Sequence, residues 1–160
     1  MTPARYEPAM RAALAEADAA RAAGEIPIGA VVLDETGQVI AAAHNAREGK
    51  SDPTAHAEVL ALREAAAARD AWRLDGCTLV VTVEPCPMCA GAAVMARIST
   101  LVFGSWNDDY GAAGSRWDLV RDRRLNHRVE VVPGVLAEEC SGVLRAFLEA
   151  RRGTIGSEEV

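Results

Sequence analysis

Short runs of β-branched and aliphatic residues alternate along this chain with alanine-rich segments of helical period, and that alternation narrows the folds open to it. Residues 3–23 carry Tyr6, Met10, Leu14 and Ala17 at three- and four-residue spacing, which predicts a helix stopped by Gly24. Residues 28–33 and 39–44 read as two strands of a hairpin around Asp34-Glu35-Thr36-Gly37. A polar loop follows over 45–51. Asp52-Pro53 then reads as an N-cap with proline at the first helical position, and the alanine-rich helix should run to Arg69. Residues 78–83 form the next strand, and Pro87 opens a helix that should reach Arg97. Further strands are expected at 101–104 and 129–132. A last helix over 137–152 places Cys140, Val143, Leu144 and Phe147 on one face. Strands alternating with helices imply an α/β layered domain around one mixed sheet of about five strands. The expected domain covers residues 1–153, with a short polar tail at 154–160.

Composition excludes several classes. No apolar run approaches the roughly 18 residues of a transmembrane helix, so no membrane partner is expected. Met1 to Tyr6 lacks the basic patch and apolar run of a signal peptide, which makes the cytoplasm the expected location. Four cysteines are too few and too unevenly placed for a disulfide scaffold. Cys77 and Cys140 sit in apolar surroundings and read as buried free thiols. The 17 basic and 23 acidic side chains leave a formal charge of −6, which argues against a nucleic-acid binder held by net positive charge alone. Arg116, Arg121, Arg123, Arg124 and Arg128 nevertheless cluster against only Asp118 and Asp122. That run reads either as a solvated face or as a phosphate-contacting rim.

Two short motifs carry the chemistry. His56-Ala57-Glu58 is weak alone, because a His-x-Glu pattern arises readily by accident. Glu84-Pro85-Cys86-Pro87-Met88-Cys89 lies where a strand enters a helix, and two thiols so spaced can reach one ion. The helix N-terminus also favours the thiolate form that a metal requires. A redox role for Cys-x-x-Cys is the alternative, but it leaves His56 and Glu58 idle. Together the motifs offer one imidazole and two thiolates. A structural zinc site normally has four protein ligands, whereas a catalytic one keeps a position for water. The remaining histidines, His44 and His127, lie on segments with roles of their own. Zinc makes hydroxide available near neutral pH, and Glu58 is placed to move protons between water and a substrate. His56 and Glu58 are two residues apart and so do not share a face of a regular helix, so they should converge from its opening turn.

The pair of motifs resembles the His-x-Glu…Pro-Cys-x-x-Cys signature of zinc-dependent nucleobase deaminases. From about Glu7 to Arg152 the chain resembles the bacterial tRNA-specific adenosine deaminase family. The likeness is carried by Gly24-Glu25-Ile26-Pro27-Ile28-Gly29-Ala30-Val31, His44-Asn45 and the two zinc motifs with their flanks. Gly111-Ala112-Ala113-Gly114-Ser115 and Asn126-His127-Arg128-Val129-Glu130 discriminate best, since the zinc motifs are shared with cytidine, cytosine and guanine deaminases. The resemblance implies a three-layer α/β/α cytidine deaminase-like fold. It also implies one Zn2+ per subunit, held by His56, Cys86 and Cys89, with Glu58 as the catalytic acid–base. A homodimer is implied, as is hydrolysis of the wobble adenosine to inosine in the anticodon stem-loop of an arginine tRNA. The target base would be splayed into the pocket and read by Asn45. Ile28, Ala57, Pro85, Asn107, Phe147 and Arg151 are the further substrate-binding residues that the resemblance implies.

One loop departs from the family pattern. Many members have an aspartate three residues after Phe103-Gly104 and a lysine soon after, whereas here the chain reads Ser105-Trp106-Asn107-Asp108-Asp109-Tyr110. Asparagine replaces an acceptor with a group that also donates, and two acids should repel phosphate. Trp106 or Tyr110 offers a stacking surface in compensation, or packs. The expectation is a relaxed or altered substrate choice, with single-stranded DNA as a further candidate. A free guanine or cytosine deaminase using the same zinc site is the second reading. A non-catalytic zinc module, which would need a fourth protein ligand, is the third.

Overall fold

The computed structural model describes residues 2–155. After a 3-10 turn at Pro3–Tyr6, the first helix, α1, spans Glu7–Ala22. Its buried stripe is Met10, Ala13, Ala17 and Ala20, whereas Leu14, expected in that stripe, is only half-buried. The small residues let α1 lie almost on the backbone of β1 (Gly29–Leu33): a Cβ on Gly29 would strike the Ala13 carbonyl and lie 2.5 Å from the Ala17 nitrogen. The hairpin turns where expected, with Asp34 Oδ1 accepting from the Thr36 and Gln38 amides and Gly37 at φ 88°, and leads into β2 (Val39–His44).

The loop expected over 45–51 contains one helical turn, α2 (Arg47–Lys50). The following helix, α3, spans Ala57–Arg69, so it begins four residues later than Pro53. Asp52 does cap, but locally: its Oδ1 accepts from the Thr54 amide and hydroxyl, each at 2.8 Å, and closes a tight turn of its own. His56 becomes the residue before the helix, in extended backbone at φ −77° and ψ 150°. Then come β3 (Thr78–Val83), α4 (Pro87–Met95), β4 (Thr100–Ser105), β5 (Glu130–Val132) and α5 (Ala137–Ile155). Helix α4 ends two residues short of expectation, where Arg97 turns to φ 64° and its guanidinium donates to the Val94 and Met95 carbonyls. Helix α5 continues three residues past Arg152, through Gly153, because no left-handed turn interrupts it there. The rest of the expected tail, 156–160, lies outside the described residues.

The sheet has the order β2-β1-β3-β4-β5, with β1 antiparallel to both neighbours and β3, β4 and β5 parallel. Side-chain alternation divides the core in two. Ala30, Val32, Leu79, Val81, Leu101 and Phe103 face α3 and α4, while Val31, Val80, Val102 and Val132 face α1 and the start of α5. A mixed five-stranded sheet thus lies between two helical layers, as the resemblance implied. The C-terminal ends of β2, β3 and β4 and the start of β1 share one edge, which gathers Ile28, Asn45, Glu84 and Asn107.

Candidate metal and substrate site

Two helix N-termini meet at that edge. His56 precedes α3 and Cys86 precedes α4, with Pro87 at the first position of α4 and Cys89 in its opening turn. Their ligand atoms lie within 4.8 Å of one another, with His56 Nδ1 3.7 Å from Cys86 Sγ and 3.4 Å from Cys89 Sγ. The imidazole therefore faces the sulfurs through Nδ1. Among the described residues this cluster has three donors, and the fourth protein ligand of a structural zinc site does not join it.

The donor chemistry fits a soft divalent cation. Hydrogen bonding from Cys89 and His56 holds the Cys86 thiol down to about 4. The same contact with Cys86, together with burial, keeps Cys89 a thiol far above its ordinary range. His56 is raised, chiefly by its hydrogen bond with Cys86. One sulfur thus carries charge at the other's expense, and a divalent cation between them lets both ionise. Two thiolates and an imidazole suit zinc.

Glu58 lies in the first turn of α3, 4% exposed, and burial raises its pKa above the ordinary carboxylate value. Because His56 stands outside the helix in extended backbone and Glu58 inside it, the two side chains converge despite their spacing. Both line a cavity of about 690 Å³ that also takes in Ile28, Asn45, Arg47, Ala57, Asn107 and Tyr110. That size lies within the roughly 300–1,000 Å³ of small-molecule sites. Asn45 is buried, its Oδ1 has no hydrogen bond, and its Nδ2 reaches the Ile26 carbonyl only at 3.5 Å. A buried amide oxygen without a donor costs free energy unless a ligand supplies one.

The other expected residues fall elsewhere. Pro85 is buried behind the cavity, where its carbonyl accepts from the Ala112 amide at 2.8 Å. Phe147 and Arg151 lie on α5, outside the lining, with the guanidinium 5.1 Å from the ring centre. Trp106 packs edge-on to Phe103 at 4.9 Å, which leaves Tyr110 as the loop aromatic on the cavity. Asn107 spends its Oδ1 on the Tyr110 amide at 3.0 Å, so its NH2 is the part of the side chain that no hydrogen bond among the described residues occupies. His44 pairs with Glu16 at 2.7 Å and His127 meets the Ile98 carbonyl, so neither competes for metal. Cys77 and Cys140 are free and buried, and burial pushes Cys140 up to about 12.

Two buried glutamates had no assigned role in the sequence reading. Glu25 accepts from the Gly49 amide at 2.7 Å and holds α2, whose Arg47 lines the cavity. Glu84 accepts from the amides of Asn107, Ala113 and Ser115, each at 3.0 Å. The only sequence signal for either was its place in a motif, Glu25 between α1 and β1 and Glu84 just after β3.

The site and fold have counterparts. The model of the cytidine and deoxycytidylate deaminase zinc-binding region matches residues 3–105. A tRNA-specific adenosine deaminase of Bacillus subtilis is 49% identical over 143 residues, covering 89% of this chain and 88% of the relative. One of Haemophilus influenzae is 50% identical over 146 residues, covering 91% and 84%. A structure solved in work on A-to-I editing by tRNA deaminases at the wobble position superposes with a TM-score of 0.81 at 38% identity, covering 84% of this chain and 97% of that one. A guanine deaminase from Nitrosomonas europaea gives 0.77 at 30% identity, covering 88% and 83%. With half its residues in common with such relatives over nine-tenths of its length, and with a zinc-binding deaminase region, the chain belongs to the tRNA-specific adenosine deaminase family.

Proposed function

We propose that this protein hydrolyses the wobble adenosine of a tRNA anticodon stem-loop to inosine, as a cytoplasmic homodimer with one zinc ion per subunit. The observation that carries the substrate reading is the buried Asn45 amide with an unpartnered oxygen, beside Glu58 on the cavity wall. Kinship to the adenosine deaminases acting on tRNA, at about half identity, supports the same substrate.

His56 Nδ1, Cys86 Sγ and Cys89 Sγ would hold the zinc, whose Lewis acidity makes hydroxide available near neutral pH. Glu58 takes a proton from the attacking water and delivers it to purine N1. It then takes the proton of the hydroxyl added at C6 and passes it to the departing amine, so that the water oxygen becomes the inosine carbonyl and ammonia leaves. Burial of Glu58 excludes bulk water from this transfer and favours the protonated carboxyl between steps. Asn45 offers an acceptor and a loosely held donor to the purine edge, and Ile28 and Ala57 supply apolar walls. A base still stacked in the loop could not reach the buried Glu58, so it must be unstacked before it enters.

Homodimer formation is supported by α4, which is apolar on nearly every side. Its inner face packs in the core, while Met88 and Met95, with half-buried Ala92 between them at helical spacing, remain exposed or partly so.

The deciding experiment measures turnover of an arginine-tRNA anticodon stem-loop, single-stranded DNA of the same sequence, and free guanine, cytosine and adenosine. Inosine in the RNA with little turnover of free bases is expected. Brisk deamination of guanine with none of the stem-loop would replace this reading with that of a free-base enzyme. The DNA substrate tests Asn107, whose donor NH2 offers a contact that an aspartate there could not make.

A further inference from the structure

Glu84 follows the last residue of β3, immediately before the Pro-Cys-x-x-Cys motif, and is 1% exposed. A carboxylate so deep is costly unless charge or hydrogen bonds compensate. No ion pair reaches it among the described residues; its partners are three backbone amides. All three belong to one segment that returns from the end of β4. Oε2 accepts from Asn107, and Oε1 from Ala113 and Ser115, each at 3.0 Å. The segment is folded tightly around the carboxylate. Gly111 lies so near that an added Cβ would collide with Glu84 Oε2 and Ser115 Oγ. The ring is closed by the Gly111 amide and the Ser115 hydroxyl, which donate to the Asn107 carbonyl at 2.8 and 2.9 Å. Asn107 and Tyr110, which this ring suspends, are the two members of the loop that line the cavity.

Loop closure alone does not require a charge, since a neutral acceptor would serve for one or two amides. A carboxylate is needed only where donors converge on both oxygens, with no acceptor among them. We propose that Glu84 is a positioning residue for substrate binding: it gathers the amides of Asn107, Ala113 and Ser115 so that Asn107 and Tyr110 meet the nucleotide held in the cavity. The role rests on the deaminase reading above and concerns binding, not proton transfer.

The test is Glu84→Gln, which keeps the shape of the side chain. A carboxamide has one acceptor oxygen and cannot satisfy donors on both sides, so the NH2 must face either the Asn107 amide or the pair from Ala113 and Ser115. The expected result is a KM for the stem-loop raised about tenfold or more, one zinc retained per chain, and kcat within about threefold of wild type. Asn107→Ala, alone and combined with Glu84→Gln, completes a double-mutant cycle. If Glu84 acts through Asn107, the second substitution adds little to KM once the first is present. Additive effects, or a fall in kcat and zinc content with KM unchanged, would overturn the assignment and leave a merely structural glutamate. Wild-type turnover is the control that separates the two readings. A wild-type enzyme inactive on the stem-loop overturns the tRNA reading, and the KM comparison is then made on whichever free base it deaminates.

Discussion

Glu58 is the residue on which proton movement depends, and its environment distinguishes chemistry from metal binding. It lies deep in the first turn of α3, beside the three donors but separate from them. Glu58→Gln removes the proton carrier and keeps the volume. The expected outcome is a kcat lowered by about 10²–10⁴-fold, with zinc still at one per chain by elemental analysis. Loss of zinc in parallel with activity would instead make Glu58 part of the metal site. The four residues His56, Glu58, Cys86 and Cys89 were legible in the sequence because a metal demands particular atoms, and those atoms come in short spacings. Glu84 and Glu25 were not. Their partners are backbone amides 23 to 31 residues away, and amides leave no mark on residue identity. Asn107 was visible as a departure from pattern, but only the structure shows that its oxygen is consumed by the Tyr110 amide.

At the scale of elements, the strands and helices followed from period and punctuation, while the errors cluster where a side chain closes a local turn. Asp52 before Pro53 has the pattern of a cap for α3, yet it caps Thr54, and the helix begins at Ala57. The shift matters, since it frees His56 from the helix and lets its ring meet the sulfurs. Stability at this scale is tested where α1 crosses β1. Gly29→Ala puts a methyl group against the Ala13 carbonyl and the Ala17 nitrogen, both backbone atoms that cannot rotate away. The helix must lift from the sheet, opening the layer that Met10, Val31 and Val80 fill. The expected cost is about 3 kcal/mol, read as a lower urea midpoint with an unchanged slope. A variant as stable as wild type would show that α1 is less tightly seated. Because Gly29 also faces His44 across the hairpin, the substitution should weaken substrate binding at neighbouring Asn45 as well.

At the scale of the whole molecule, exposed charge and apolar surface meet in one groove, lined by Trp117 and Leu119 together with Asp118, Asp122 and Arg124. The arginine cluster is weaker than its composition suggests, because Asp118 pairs with Arg121 and Asp122 with Arg124. Arg116, Arg123 and Arg128 have no ion pair among the described residues, so three guanidinium groups remain to meet phosphate or a partner subunit. The apolar surface is more telling. Met95 is 66% exposed on α4, and Trp117, 51% exposed, lines a groove with Pro87 and Leu119. In the homodimer proposed above, a second copy would cover this water-facing methionine at the end of a helix that bears a metal ligand in its first turn. The same contact would then stiffen α4 and, through its N-terminus, Cys86 and Cys89. Met95→Glu places a charge at the centre of such an interface and should raise the dimer dissociation constant by about 100-fold or more. Light scattering behind size exclusion is expected to give twice the chain mass for wild type and one chain mass for the variant, with the same circular dichroism. Editing of the stem-loop should fall along with the dimer and recover as protein concentration is raised. A wild-type protein that remains one chain at all concentrations would overturn the homodimer and leave α4 to face a different partner.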